Sequence, residues 1–273
     1  MKTASQSLAR GLDILTVIDA SPVPMGVREI GRHLDLSSAI VQRLLNTLLS
    51  YGFVEQDPST RRYRIGHRSM ALGASNRNAD GMMRSAHDIL RKLAEEENLN
   101  GYLGAVSGGR GIYLLSVPSR WIILRVDAGE ALSMHCTALG KILLAALPNA
   151  QARALLGDDP LPRKTEHTIT DAQIVLTQLP GIRAAGYSQV REENLPGVIS
   201  VAAPIANDAG EIVAGLSVAY ATGTISISHD RVIELTIEAA HRISRGLGCP
   251  ASLIDRWRSD PASEPALPDT RQA

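Results

Sequence analysis

The sequence predicts an α+β chain: an N-terminal winged helix-turn-helix unit, a linker helix, and a C-terminal antiparallel sheet with flanking helices. Three observations carry this. Two helix-period apolar stripes separated by a short polar break stand between residues 27 and 52. Two strand-like runs joined by a turn follow at once. From residue 100 onward, strand-like runs alternate with helical stretches and are punctuated by glycine and Asn-Asp turns, a pattern that suits helices packed on an antiparallel sheet.

Taken in order, Leu8, Leu12, Leu15 and Ile18 predict a first helix packing beneath the next two. Val27, Ile30 and Leu34 fall at i, i+3 and i+7 and predict the second. Asp35-Leu36-Ser37 breaks it, and Ser37 or Ser38 can cap the third. That helix carries Ile40, Val41, Leu44, Leu45, Leu48 and Leu49 on its inner face and ends at Gly52, where positive φ favours glycine. Residues 53–56 and 62–65 predict two wing strands around Asp57-Pro58-Ser59-Thr60. A linker helix is expected within 67–80, and a long amphipathic helix follows with Met83, Ala86, Leu90 and Leu93 on one face. Strands are expected at 102–107, 112–117, 121–126, 198–205 and 211–220, and helices at 137–147, 171–185 and 232–247. Gly108-Gly109-Arg110-Gly111 lacks the Lys-Ser/Thr ending of a phosphate loop and reads as a hairpin. The expected domains are thus 5–66 for the winged unit, 67–80 for the linker, 81–250 for the second domain, and a disordered tail over 251–273. That tail ends in the Pro- and Ser-rich stretch from Ser259.

The order helix, turn, helix, wing suits double-stranded DNA. A major groove admits one α-helix, and Gln and Arg pair bidentately with adenine and guanine edges. Candidate contacts are Arg28, Ser37, Ser38, Ala39, Gln42, Arg43 and Asn46 around the third helix, with Arg61, Arg62 and Tyr63 in the wing. Ser37 and Ser38, at a helix start with free backbone N–H groups, suit phosphates. The wing arginines suit phosphates or the minor groove. Against this stands the plain alternative that such residues merely solvate a helix face; the order of the elements favours DNA.

Particular stretches resemble the IclR family of bacterial transcriptional regulators. They are SLARGLDILTVIDA (7–20), LLNTLLSYGFVEQD (44–57), RYRIG (62–66), MHCTALGKILLA (134–145), GYSQVREENLPGVISVAAPI (186–205) and GEIVAGLSVA (210–219). The resemblance spans about residues 5–250. It implies a GAF-like second domain holding a small organic effector, a linker that helps pair subunits, and a homodimer or homotetramer. Carried over position by position, it implies apolar pocket walls from Trp121, Leu124, Leu132 and Val198. It implies hydroxyls from Ser200 and Ser217 and backbone amides from Ala138 and Leu139. Val190 and Ala219 replace polar groups of acid-binding members, which points to a less polar ligand such as an aromatic acid. Ala39-Ile40 stands where the family often has Ser-Thr, so the operator sequence does not carry over.

Composition sets outer limits. With 273 residues and 44% hydrophobic content, the chain can bury two cores. Its 28 basic and 28 acidic residues balance; eight and six of them lie up to Gly66. DNA affinity must therefore come from local placement and pairing of subunits. Two cysteines without metal or disulfide spacing suit a reducing cytoplasm. No signal peptide and no membrane-spanning apolar run are read. No cofactor motif is found. An enzyme would need a triad, nucleotide loop or metal cluster; His135 and Cys136, read as neighbours in a strand, would point to opposite faces and cannot act as base and nucleophile. Glu192 and Glu193 read as loop neighbours. A metal-responsive regulator using His135, Cys136 and His167 stands as the alternative.

Overall fold

The computed structural model describes residues 5–74, 77–120, 126–158 and 160–254. The chain divides into two compact units, Met1–Asp80 and Gly81–Ala273.

The N-terminal unit comprises α1 (Gln6–Asp19), α2 (Val27–Leu34), α3 (Ser38–Ser50), β1 (Val54–Gln56), β2 (Tyr63–Ile65) and α4 (His67–Ala74). Each of the first three helices starts at a distinct cap. Ser5 accepts from Leu8 N–H, the Glu29 carboxylate accepts from Gly26 N–H, and Ser37 accepts from Ile40 N–H. The α2–α3 turn passes through Asp35 in the left-handed region, and Leu36 N–H donates to the Gly31 carbonyl at 2.9 Å. A Cβ at position 31 would lie 2.7 Å from the Leu36 carbonyl, so the turn closes only over glycine. Ile14, Ile18, Met25, Ile30, Val41, Leu45, Val54 and Tyr63 form the core. The α1 stripe is rotated from the expected one. Gly11, Ile14 and Ile18 are buried, whereas Leu8 and Leu12 are 64% and 55% exposed. Leucines 8, 12 and 15 instead border an open apolar groove with Leu44, Leu48 and Phe53. Residues at i, i+4 and i+7 also satisfy a helical period, so the period alone did not choose between adjacent stripes.

The C-terminal unit is a five-stranded antiparallel sheet between two helical layers, in the strand order β4-β3-β7-β6-β5. Its strands are β3 (Asn100–Ser107), β4 (Arg110–Val117), β5 (Ser188–Arg191), β6 (Val198–Ala206) and β7 (Ile212–Ala221). α5 (Arg77–Glu96) and α9 (His229–Gly246) cover one face, where Ala86, Leu90, Val232 and Ile243 meet Val201, Ile205, Leu216 and Val218. α6 (Ala138–Ala145), α7 (Asn149–Leu156) and α8 (Ala172–Ala185) cover the other. The β3–β4 hairpin turns on Gly108 and Gly109 alone, both at positive φ, with Ser107 opposite Arg110. Arg110 and Gly111, expected in the turn, therefore belong to the strand.

Other boundaries also differ. The short edge strand β5 and helix α7 carry too little periodicity to be read from sequence. Residues 134–136 form a turn, not a strand. Packing runs past residue 250: Ile254 is 7% exposed against Ala206 and Cys249. Residues 255–273 of the expected tail, and 121–125 of the expected third strand, lie outside the described residues. Among the described residues no helix is long and apolar enough to cross a membrane.

One contact ties α9 to the sheet and makes its stability pH-dependent. The Tyr220 hydroxyl lies 2.7 Å from His229 Nδ1, and His229 Nε2 lies 2.6 Å from Gln189 Oε1. Neutral imidazole with its proton on Nε2 satisfies both partners. Burial, and secondarily the Arg191 charge, hold His229 below its ordinary 6.5, with Asp230 opposing. The unfolded chain therefore binds the proton more readily, and stability rises with pH through the interval below about 6.5. Denaturant unfolding should give a lower midpoint at about pH 5.5 than at about pH 7.5, and His229→Gln should remove that part of the difference.

Candidate functional site

Two regions gather the candidate residues, one in each unit. In the N-terminal unit, Ser37 caps α3, Ser38 and Ala39 form its exposed first turn, and Arg43 and Asn46 are exposed farther along. Arg28 is exposed at the start of α2. Gln42 is half-buried, and its Nε2 donates to Asn46 Oδ1 at 2.9 Å and to the Tyr63 hydroxyl at 3.0 Å. Tyr63 itself is 1% exposed, which corrects its expected place as a surface contact. Alternation along β2 turns Arg64 outward and Tyr63 inward, and two backbone hydrogen bonds with Met25 hold it there.

The wing arginines are not equivalent. Arg62 makes a bidentate pair with Glu29 at 3.1 and 3.2 Å and also donates to the Pro24 carbonyl. A phosphate contact at Arg62 would have to displace or share that clasp. Arg64 pairs with Glu55 at 2.9 Å. Arg61 sits exposed at the turn with φ +57 and makes no ion pair among the described residues. The turn is built on Asp57, whose Oδ1 accepts from the Ser59 hydroxyl, Thr60 N–H and Ser59 N–H. Those donors pull its carboxyl down to about 2.

In the C-terminal unit, a cavity of about 250 Å³ opens between the sheet and the start of α6. The sheet contributes Val190, Val198, Ser200, Ser217 and Ala219, all expected. Ala138 and Leu139 bring the first backbone amides of α6, whose Thr137 cap is itself in the wall. Leu132 is buried in the core on this side of the sheet but does not line the cavity. Trp121 and Leu124 lie outside the described residues. The Ser217 hydroxyl donates to the Val201 carbonyl at 2.8 Å, so only its lone pairs are open to a ligand.

Sequence reading missed several wall residues. Tyr102 and Tyr113 stand on adjacent strands with ring centroids 5.8 Å apart, because the β3–β4 register sets Gly104 opposite Tyr113. Burial pushes both phenols up, Tyr113 to about 12, so both remain O–H donors. In a chain with 3% aromatic residues, two tyrosines in neighbouring strand-like runs were the available signal. The remaining wall is Val126 and the loop 192–197, which supplies Asn194 and Leu195. Beneath it, Lys141, 2% exposed, contacts both Glu193 carboxylate oxygens at 2.6 and 2.8 Å. The Thr165 and Thr168 hydroxyls donate to the Glu192 and Glu193 carbonyls, both at 2.6 Å. Glu192 at φ +58 closes the loop by accepting from Gly197 N–H.

The metal alternative loses its geometry. His135 Nε2 is bonded to the Pro162 carbonyl and the Cys136 thiol contacts Asn194 Oδ1, while burial pushes that thiol up to about 11. Among the described residues no three His, Cys, Asp or Glu side chains come together.

Family comparison decides the class. The model described as Bacterial transcriptional regulator IclR C-terminal matches residues 78–245, over half the chain, and the IclR helix-turn-helix domain matches 7–58. The chain belongs to the IclR family. The HTH-type transcriptional regulator BhcR of Paracoccus denitrificans is 32% identical over 244 residues, covering 89% of this chain and 87% of that protein. IclR of Thermotoga maritima superposes with a TM-score of 0.65 at 27% identity, covering 89% of this chain and 98% of that one. An IclR homolog from Microbacterium hydrocarbonoxydans, complexed with 4-hydroxybenzoate, shares the fold with a TM-score of 0.68 at 21% identity, covering 89% and 99%. This IclR-family protein is a transcriptional regulator, as its named relatives are, and not an enzyme.

Proposed function

We propose that this IclR-family regulator binds a duplex operator through α3 and its wing, and that a small organic acid in the C-terminal cavity changes that affinity. The observation that carries the ligand half is that one cavity brings apolar side chains together with hydroxyl donors and the first amides of α6. Val190, Val198 and Ala219 suit a ring or short alkyl body. The α6 amides, Ser200 and the two tyrosines suit a carboxylate, since amides at a helix start favour an anion. The fold-level relative holding 4-hydroxybenzoate makes that compound the first probe. Subunits acting as a homodimer or homotetramer would set two α3 helices in major grooves about one helical turn apart. The change in operator affinity then equals the ligand's differential affinity for the two arrangements.

A thermal-shift screen of aromatic and aliphatic acids, followed by anisotropy with labelled operator duplex, tests this. A ligand that raises the midpoint and shifts operator affinity supports it; acids that bind without touching DNA affinity sink the coupling. Tyr113→Phe should weaken the selected acid by about 0.5–1.5 kcal/mol in isothermal titration, the value of one hydrogen bond.

A further inference from the structure

Gln42 looks like a free base reader on the sequence, yet its amide is already engaged. Its Nε2 donates to Asn46 Oδ1 at 2.9 Å and to the Tyr63 hydroxyl at 3.0 Å. A carboxamide nitrogen has two hydrogens, so both are spent. We propose that Tyr63 is a positioning residue for sequence readout: it locks the Gln42–Asn46 pair into one unit that presents an acceptor, Gln42 Oε1, and a donor, Asn46 Nδ2. This rests on the DNA-binding reading above.

The lock is rigid at its inner end. The Tyr63 ring is 1% exposed in the core with Val41 and Val54, and its backbone is bonded to Met25 in both directions. Gln42 and Asn46 stand one turn apart on α3, so the two share a stripe. An unrestrained glutamine can turn its amide over and offer either edge, or both edges to one adenine. A glutamine held by its nitrogen can only accept. In the major groove, exocyclic amines are carried by adenine N6 and cytosine N4, whereas guanine and thymine offer acceptors along the matching edge. Gln42 Oε1 therefore favours A or C beneath it and opposes G or T, lone pair against lone pair. Asn46 Nδ2 donates to an adjacent purine N7 or carbonyl oxygen. Because the donor and acceptor are ordered before docking, little side-chain entropy is lost on binding.

The test is selection by the full-length protein from a randomised duplex DNA library, comparing the wild type with Tyr63→Phe, Asn46→Asp, Gln42→Ala and the Gln42→Ala/Tyr63→Phe pair. Wild type should enrich an amine-bearing base at one position by roughly tenfold or more, the discrimination expected of a good base contact. Tyr63→Phe should relax that position severalfold. Its affinity for unrelated duplex and its salt dependence should hold, and its thermal midpoint should fall by no more than the loss of one hydrogen bond implies. Asn46→Asp keeps the acceptor for Gln42 and removes the donor to DNA, so its preference should change at the neighbouring base. In the Gln42→Ala background, Tyr63→Phe should add nothing. An unchanged base preference in Tyr63→Phe, an equal loss on every duplex, or a further change in the Gln42→Ala background would each overturn the lock. A wild type that enriches no sequence would sink the DNA-reading function itself, and the lock with it.

Discussion

Glu193→Gln is expected to destabilise the C-terminal unit by about 3–5 kcal/mol, the cost of leaving one member of a buried ion pair without its counter-charge. Lys141 is 2% exposed and both of its carboxylate contacts come from Glu193, itself 13% exposed. Glutamine keeps the size and loses the charge, so the ammonium stays in low dielectric with a weaker partner. Chemical unfolding should show the loss as a lower midpoint with an unchanged slope. The pair's net worth is a separate quantity. Replacing both members together, as Lys141→Met with Glu193→Leu, should cost far less than the single change, since desolvation of both charges is then avoided. The loop 192–197 should suffer in either case, because Glu193 is its anchor and Asn194 and Leu195 form the cavity wall. Weaker acid binding in the double variant, at near-normal stability, would separate the loop's role from the fold's.

Leu45→Ala is expected to lower the stability of the N-terminal unit by about 2–5 kcal/mol, the transfer loss plus the void left behind. Leu45 is fully buried on α3 among Ile14, Ile30, Val41 and Val54, in a unit with one small core. Calorimetry should show a lower transition for this unit while the C-terminal transition keeps its midpoint. Operator binding should fail at temperatures where ligand binding persists. A single transition that moves as a whole would show instead that the two compact units unfold together.

The helix-turn-helix was readable because its signals agree across levels: Ser37 at a cap, Val41 and Leu45 at helical spacing, Gly52 at positive φ, and Asp57 in a turn. The Gly108-Gly109 hairpin was readable for the same reason. Tyr63 was misplaced because a three-residue strand is too short for alternation to declare which face is inward. Lys141 escaped notice because it stands in the apolar run 138–145, where a charge looks like an interruption and its partner is 52 residues away. Tyr102 and Tyr113 come together only through cross-strand register, which residue spacing does not encode. The expected pocket positions carried over from the family did gather around one cavity, apart from Leu132 behind the wall and the two outside the described residues. The loop 192–197 and the two tyrosines that complete the wall are set by tertiary packing.

The clasp between Arg62 and Glu29 has a consequence for how docking would respond to ionic strength. An arginine paired within its own protein must exchange that partner before it neutralises a phosphate, which lowers its net contribution to docking. With Arg64 similarly matched to Glu55, the ions liberated on docking would come first from Arg28, Arg43 and Arg61, unpaired among the described residues, with Arg62 and Arg64 contributing less than free arginines. A protein of zero formal charge would then hold its operator with shallow sensitivity to salt, leaning on shape and base edges more than on bulk attraction.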